Sequence, residues 1–89
     1  SPIKIVEIDE PIAEPIQKIK QIKAPIPGVI IAINIKEGDM VSYGEKLCVL
    51  EAMKMKNSIR ANRDGVISKI LVTTGDQVKH GQILMEYRD

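Results

Sequence analysis

The sequence predicts an all-β domain built from two copies of a four-strand unit that close on each other. Three observations predict it. Sixteen of the 89 residues are Ile, while Phe and Trp are absent, and β-branched side chains suit a pleated, half-buried surface better than a helix. Shifting the chain by 37 places lays residues 22–51 over 59–88 without a gap, with eleven identities in thirty positions. Those identities include Gly28/Gly65, Gly38/Gly75 and Gly44/Gly81, so short apolar runs alternate with glycine turns as in a sandwich or barrel. Two copies are too few for a solenoid. A closed pair related by a pseudo-twofold axis is expected.

Taken in order, Pro27-Gly28 and Asp64-Gly65 read as turn dipeptides in which glycine takes positive φ. The run 29–35 follows the first of them. Val29, Ile33 and Ile35 match Val66, Ile70 and Val72, whereas Ala32 matches Lys69. The parity of 29, 33 and 35 is therefore assigned to the core and the other parity to water for most of its length, with Ile30/Ile67 the exception on that side, expected to be covered by a neighbouring turn. Gly38-Asp39 and Gly75-Asp76 open the next turns, with the aspartates as turn caps rather than paired acid–base carboxylates. In the run 47–52 and its copy, Cys48, Leu50, Met85 and Tyr87 share the apolar parity. Leu47/Leu84 breaks the alternation, as at a bulge or over a second apolar surface. Met40 and Met85 read as core fillers, and Ile30-Ile31 as core rather than an exposed contact patch.

Composition excludes several functions. Thirteen Lys and Arg against twelve Asp and Glu give a net charge of +1, without the basic surplus of a nucleic-acid protein. Two Tyr are the only aromatics, too few for a base-stacking platform. No apolar run reaches the ~20 residues of a membrane helix. A single Cys makes no internal disulfide, and Cys48 with His80 offers too few ligands for zinc. The expectation is a soluble, cytoplasmic chain. A domain this small buries only about 60–65% of its unfolded surface, which leaves little room for a catalytic cleft.

Residues 1–17 lie outside the repeat. Pro2, Pro11 and Pro15 break any long helix, and the segment is expected to be a linker or an ordered N-terminal extension of a domain spanning 18–89. A chain opening on Ser1 is expected to be a fragment or a processed product.

The junction between the copies reads Glu51-Ala52-Met53-Lys54-Met55-Lys56-Asn57-Ser58. Its centre, Met53-Lys54, lacks the Gly or Asn that two-residue hairpins prefer, and it sets two methionines beside an exposed lysine. The pseudo-twofold predicts that this hairpin projects from one end of the domain while both termini leave from the other.

Glu51-Ala52-Met53-Lys54-Met55 resembles the attachment signature of biotinyl (biotin carboxyl carrier) domains. Ala24-Pro25, Gly28 and Gly38-Asp39-x-Val41-x-x-Gly44 upstream resemble them too, as do Ala61, Gly65 and Gly75-Asp76-x-Val78-x-x-Gly81 downstream. The resemblance implies a flattened β-barrel, or barrel-sandwich hybrid, with biotin in amide linkage to Lys54. It implies attachment by a biotin protein ligase, and partners comprising a biotin carboxylase and a carboxyltransferase or decarboxylase. Met53 and Met55 would help those partners use the modified lysine, and Glu51 and Ala52 would complete the site. Residues 35–39 cross directly between strands, so the chain lacks the protruding "thumb" of some acetyl-CoA carboxylase carriers. It looks more like carriers of transcarboxylases, sodium-pump decarboxylases, pyruvate carboxylase or acyl-CoA carboxylases. No catalytic residue, metal, nucleic acid or direct membrane insertion is expected. A lipoyl-type swinging-arm carrier is the alternative, although Met-Lys-Met argues against it; an unmodified structural barrel ranks third.

Overall fold

A computed structural model describes residues 19–89; the expectations for residues 1–17 lie outside them. The strands are β1 (Gln21–Lys23), β2 (Gly28–Ile33), β3 (Met40–Val41) and β4 (Lys46–Ala52), then β5 (Met55–Arg60), β6 (Gly65–Ile70), β7 (Gln77–Val78) and β8 (Ile83–Tyr87). The described residues contain no helix, so none is long and apolar enough to cross a membrane. β2 and β3 map onto β6 and β7 residue for residue under the 37-place shift.

The strands form two antiparallel sheets, ordered β1-β8-β6-β3 and β5-β4-β2-β7. The second order is the first moved by one repeat. Each sheet thus takes two strands from each copy. The copies do not stack as finished halves; they exchange strands, and the two inner faces enclose one core in the expected flattened barrel. The turns carry the exchange further. Gly38 N donates to Ile67 O and Ile67 N to Asp39 O, and the same pair recurs as Gly75 N to Ile30 O and Ile30 N to Asp76 O. Each copy's Gly-Asp turn therefore grips the other copy's long strand. Asp39 and Asp76 cap these turns as expected, accepting from Lys36 N and Thr73 N at 2.9 Å.

Four bulges explain where simple alternation fails. Between β2 and β4 the register passes from Ile30↔Leu50 to Ala32↔Val49, leaving Ile31 as the extra residue, and Ser68 is its equivalent between β6 and β8. An extra residue reverses the parity that follows. Ile30 and Ile67 are fully buried, while Val29 stands on the outer parity and is half-buried. Beyond the bulge Ile33 and Ile35 turn back against the core. The assignments of Val29 and Ile31 to the core are thus corrected, since Ile31 is the half-buried extra residue of the bulge, whereas Ile30 is core as expected and is covered by the Gly75-Asp76 turn. Leu47 and Leu84 are the extra residues of the other two bulges. Each lies fully buried next to an equally buried neighbour, Cys48 or Met85.

Two further expectations change. Met85 fills the core, but Met40 is 79% exposed on the edge strand β3. Gly28 and Gly65 do not adopt positive φ; Gly38, Gly44, Gly75 and Gly81 do. Gly28 is needed for close approach instead, because a Cβ there would collide with the Glu51 carbonyl oxygen and sit 3.1 Å from the Ala52 Cβ.

Gly28→Ala is accordingly expected to destabilise the domain by about 1–3 kcal/mol, the usual cost of overpacking, as measured by chemical denaturation. The obstacle is backbone, which cannot swing aside. Burial pushes the Cys48 thiol up from 9.0 to about 11. A thiol held neutral in the folded state contributes stability below its unfolded pKa, and this is lost as pH rises from about 9 through about 11. The loss of Tm over that interval should therefore be smaller in Cys48→Ala than in the wild type, once the constant cost of the cavity is subtracted.

Candidate functional site

β4 and β5 pair in register as Leu50↔Asn57, Glu51↔Lys56 and Ala52↔Met55. That leaves Met53 and Lys54 as a two-residue turn. Their φ angles are 53° and 64°, both in the left-handed region, as a type I′ hairpin turn requires. With a Cβ at each position the conformation costs roughly 1–2 kcal/mol per residue. Among the described residues these are the only non-glycine positions with positive φ.

The strands below the turn hold it there. Leu50 is fully buried, Ala52 is 8% exposed, and the absence of a side chain at Gly28 lets β2 press against the end of β4. The Asn57 amide donates from Nδ2 to Leu50 O at 3.4 Å and to Met55 O at 3.3 Å, tying both strands just below the turn. The tip projects beyond this base. Met53 is 91% exposed, Met55 is 65% exposed, and Lys54 is exposed between them. Glu51 is exposed, on the opposite parity from buried Ala52.

All five residues singled out in the sequence, Glu51, Ala52, Met53, Lys54 and Met55, thus meet on one hairpin, though in different roles. Ala52 belongs to the base, Glu51 to the outer face, and the other three to the tip. Gly28 and Asn57 were missed as parts of the site. Gly28 showed a signal, its place in the repeat, but that was read as turn geometry. Asn57 showed none.

An exposed primary amine on a rigid turn is a handle, and the described residues gather no group of three or more His, Cys, Asp or Glu that would hold a metal. Cys48 is buried and His80 exposed. A surface hollow of about 470 Å³ lies on the other sheet beside the chain ends, lined in part by Lys20, Ser68, Lys69 and Arg88. There Tyr87 N donates to Lys20 O at 3.0 Å, which brings the two ends of the described chain together.

The family described as "Biotin-requiring enzyme" matches the chain over residues 20–87. The chain is 42% identical over 65 residues to the mitochondrial propionyl-CoA carboxylase alpha chain of Homo sapiens, which covers 73% of this chain and 9% of that one. Over 38 residues it is 53% identical to the glutaconyl-CoA decarboxylase gamma subunit of Acidaminococcus fermentans, covering 43% of this chain and 26% of the subunit. Its fold is similar to the lipoyl domain of the 2-oxoglutarate dehydrogenase complex of Azotobacter vinelandii, with a TM-score of 0.69 at 28% identity over 80% of this chain and 98% of that domain. The chain therefore spans only a small part of the carboxylase and decarboxylase chains it matches, and almost the whole of a lipoyl domain. A barrel of two exchanged repeats, a lysine-tipped hairpin at their seam and a match over residues 20–87 place this chain in the biotin-requiring enzyme family, as a biotin carboxyl carrier domain.

Proposed function

We propose that Lys54 is the biotin-bearing residue, and that this hairpin presents the cofactor in turn to a biotin carboxylase and to a carboxyltransferase or decarboxylase. One observation carries the reading. The left-handed strain of the described chain, outside glycine, is confined to Met53 and Lys54 at the exposed tip. Such strain persists only where surrounding structure over-determines it, and it clusters at functional positions.

The residues suit the attachment. Amide formation needs an amine nucleophile with a base to take its proton and an activated acyl group, so a biotin protein ligase supplies both the base and an adenylated biotin. Lys54 Nζ attacks the acyl carbon; the amide C–N bond forms, the bond to AMP breaks, and the amine proton passes to the ligase. Once attached, biotin supplies a ureido nitrogen that accepts and releases a carboxyl group.

The chain's own task is presentation. Leu50, Ala52 and Asn57 fix the point from which the lysine side chain starts. A fixed origin with a flexible arm raises the effective concentration of the cofactor at each partner site. Met53 and Met55 offer adaptable apolar contact on either side of the amine.

Incubation of the full chain with biotin protein ligase, ATP and biotin is expected to add one biotinyl group, seen by intact mass and absent in Lys54→Arg. Lack of any addition to the wild type overturns the reading. Addition of a lipoyl group by a lipoyl ligase, in its place, would establish the lipoyl-type alternative. Met53→Gly relieves the left-handed penalty at one turn position and should stabilise the domain by about 1 kcal/mol. That corresponds to a rise of about 4–8 °C in Tm for a chain of this size, measured by thermal unfolding.

A further inference from the structure

The internal repeat supplies its own control, because each position on one sheet has an equivalent in the same strand environment on the other. On the outer face of the second sheet, Lys56, Glu51, Val29 and Gln77 stand side by side across β5, β4, β2 and β7. The next row runs Ser58, Val49 and Ala32, with the bulged Ile31 beside it. Val29, Ile31, Ala32 and Val49 are all half-buried. The equivalent row of the first sheet reads Gln21, Glu86 and Lys69, with Ser68 at the bulge.

The fold therefore accepts polar or charged residues at the positions of Ile31, Ala32 and Val49, where core packing does not demand apolar ones, whereas Val29 has an apolar equivalent in Val66. The first sheet has exposed apolar residues of its own. Ile19 and Met40 lie just before β1 and on edge strand β3, Leu71 follows the central strand β6, and half-buried Val66 on β6 is the equivalent of Val29. The contrast between the sheets is confined to the row of Ile31, Ala32 and Val49. The rim of the apolar centre on the second sheet is charged. Lys46 and Arg60 lie opposite each other at one end and Lys56 closes the other, with the carboxylates of Glu51 beside Lys56, Asp76 at the β7 edge and Glu45 next to Lys46.

We propose that this outer face is the docking surface for the enzyme that acylates Lys54, and that the enzyme meets it with an apolar patch edged by carboxylates. The proposal rests on the reading of Lys54 given above. Two features favour this occupant. The Glu51–Lys56 row is at once the end of the face and the base of the lysine turn, so an enzyme closing on the amine from this side covers the face. A two-residue tip alone offers little area, while the adjoining face joins a dry centre to a charged rim, as protein interfaces do. Attraction between the rim's Lys46, Arg60 and Lys56 and partner carboxylates would steer the encounter and fix its register.

The test uses the full chain as substrate, a biotin protein ligase as probe, and initial rates read by intact mass. The triple variant Ile31→Ser, Ala32→Lys, Val49→Glu installs the residues that the equivalent positions of the other sheet already carry. With an unchanged circular dichroism spectrum it should raise KM for the carrier by about tenfold, as loss of an interface centre does, with kcat altered less than about twofold. The reverse exchange on the first sheet, Lys69→Ala with Glu86→Val, should leave KM within about twofold. Lys56→Glu, on the exposed rim and no threat to folding, should raise KM by about threefold, and wild-type KM should rise with salt. Unchanged KM in both the triple variant and Lys56→Glu overturns the proposal, as do equal effects from the two sheets. Biotinylation with unchanged KM removes the docking face and leaves Lys54 as the carrier residue; no biotinylation of the wild type removes both.

Discussion

Everything in this domain depends on the exchange of strands between its two copies. Neither copy holds a sheet of its own, since β1 and β3 of the first must join β6 and β8 of the second. The buried side chains of the core cluster come from both copies, and Ile30 and Ile67 each receive the partner copy's glycine–aspartate turn. A small chain with a thin apolar content gains a continuous core in this way, where one unit alone would leave its apolar face wet. The two long strands then cannot loosen independently, and the seam between the copies inherits their rigidity.

That rigidity balances the cost of the turn. Two residues with side chains in the left-handed region disfavour the hairpin by roughly 1–2 kcal/mol each. A fully buried Leu or Ile favours the fold by roughly 1.5–3 kcal/mol, and Leu50 alone sits directly beneath the tip with no exposure. The Asn57 amide and the close approach of Gly28 add directional constraint to the apolar term. The result is a lysine whose backbone is fixed and whose side chain is free, which is what a carrier arm requires.

The repeat also separates what the fold needs from what it carries. Where the two copies agree, as at Gly38/Gly75 and Asp39/Asp76, the residues build turns that close the barrel. Where they differ, as at Ala32/Lys69 and Val49/Glu86, the barrel is indifferent and the difference belongs to the surface. Internal duplication therefore does within one chain some of what comparison between relatives does across many.

The sequence by itself determined the strand inventory, the turns, the pairing of copies and the lysine at their seam, because all of these are local patterns or self-matches. The Glu51–Met55 motif and the 37-place shift needed no coordinates to be read. The tertiary structure decided the rest. Strand exchange leaves no mark in a self-alignment, since either arrangement repeats the same residues. Bulges at Ile31, Leu47, Ser68 and Leu84 reverse parity only once a partner strand fixes the register, which is why the sequence pattern assigns Val29 and Ile31 to the core although both lie on the outer face. The need for glycine at Gly28 lies in the carbonyl of Glu51, a residue far along the chain. Long-range contact, not local preference, sets those features.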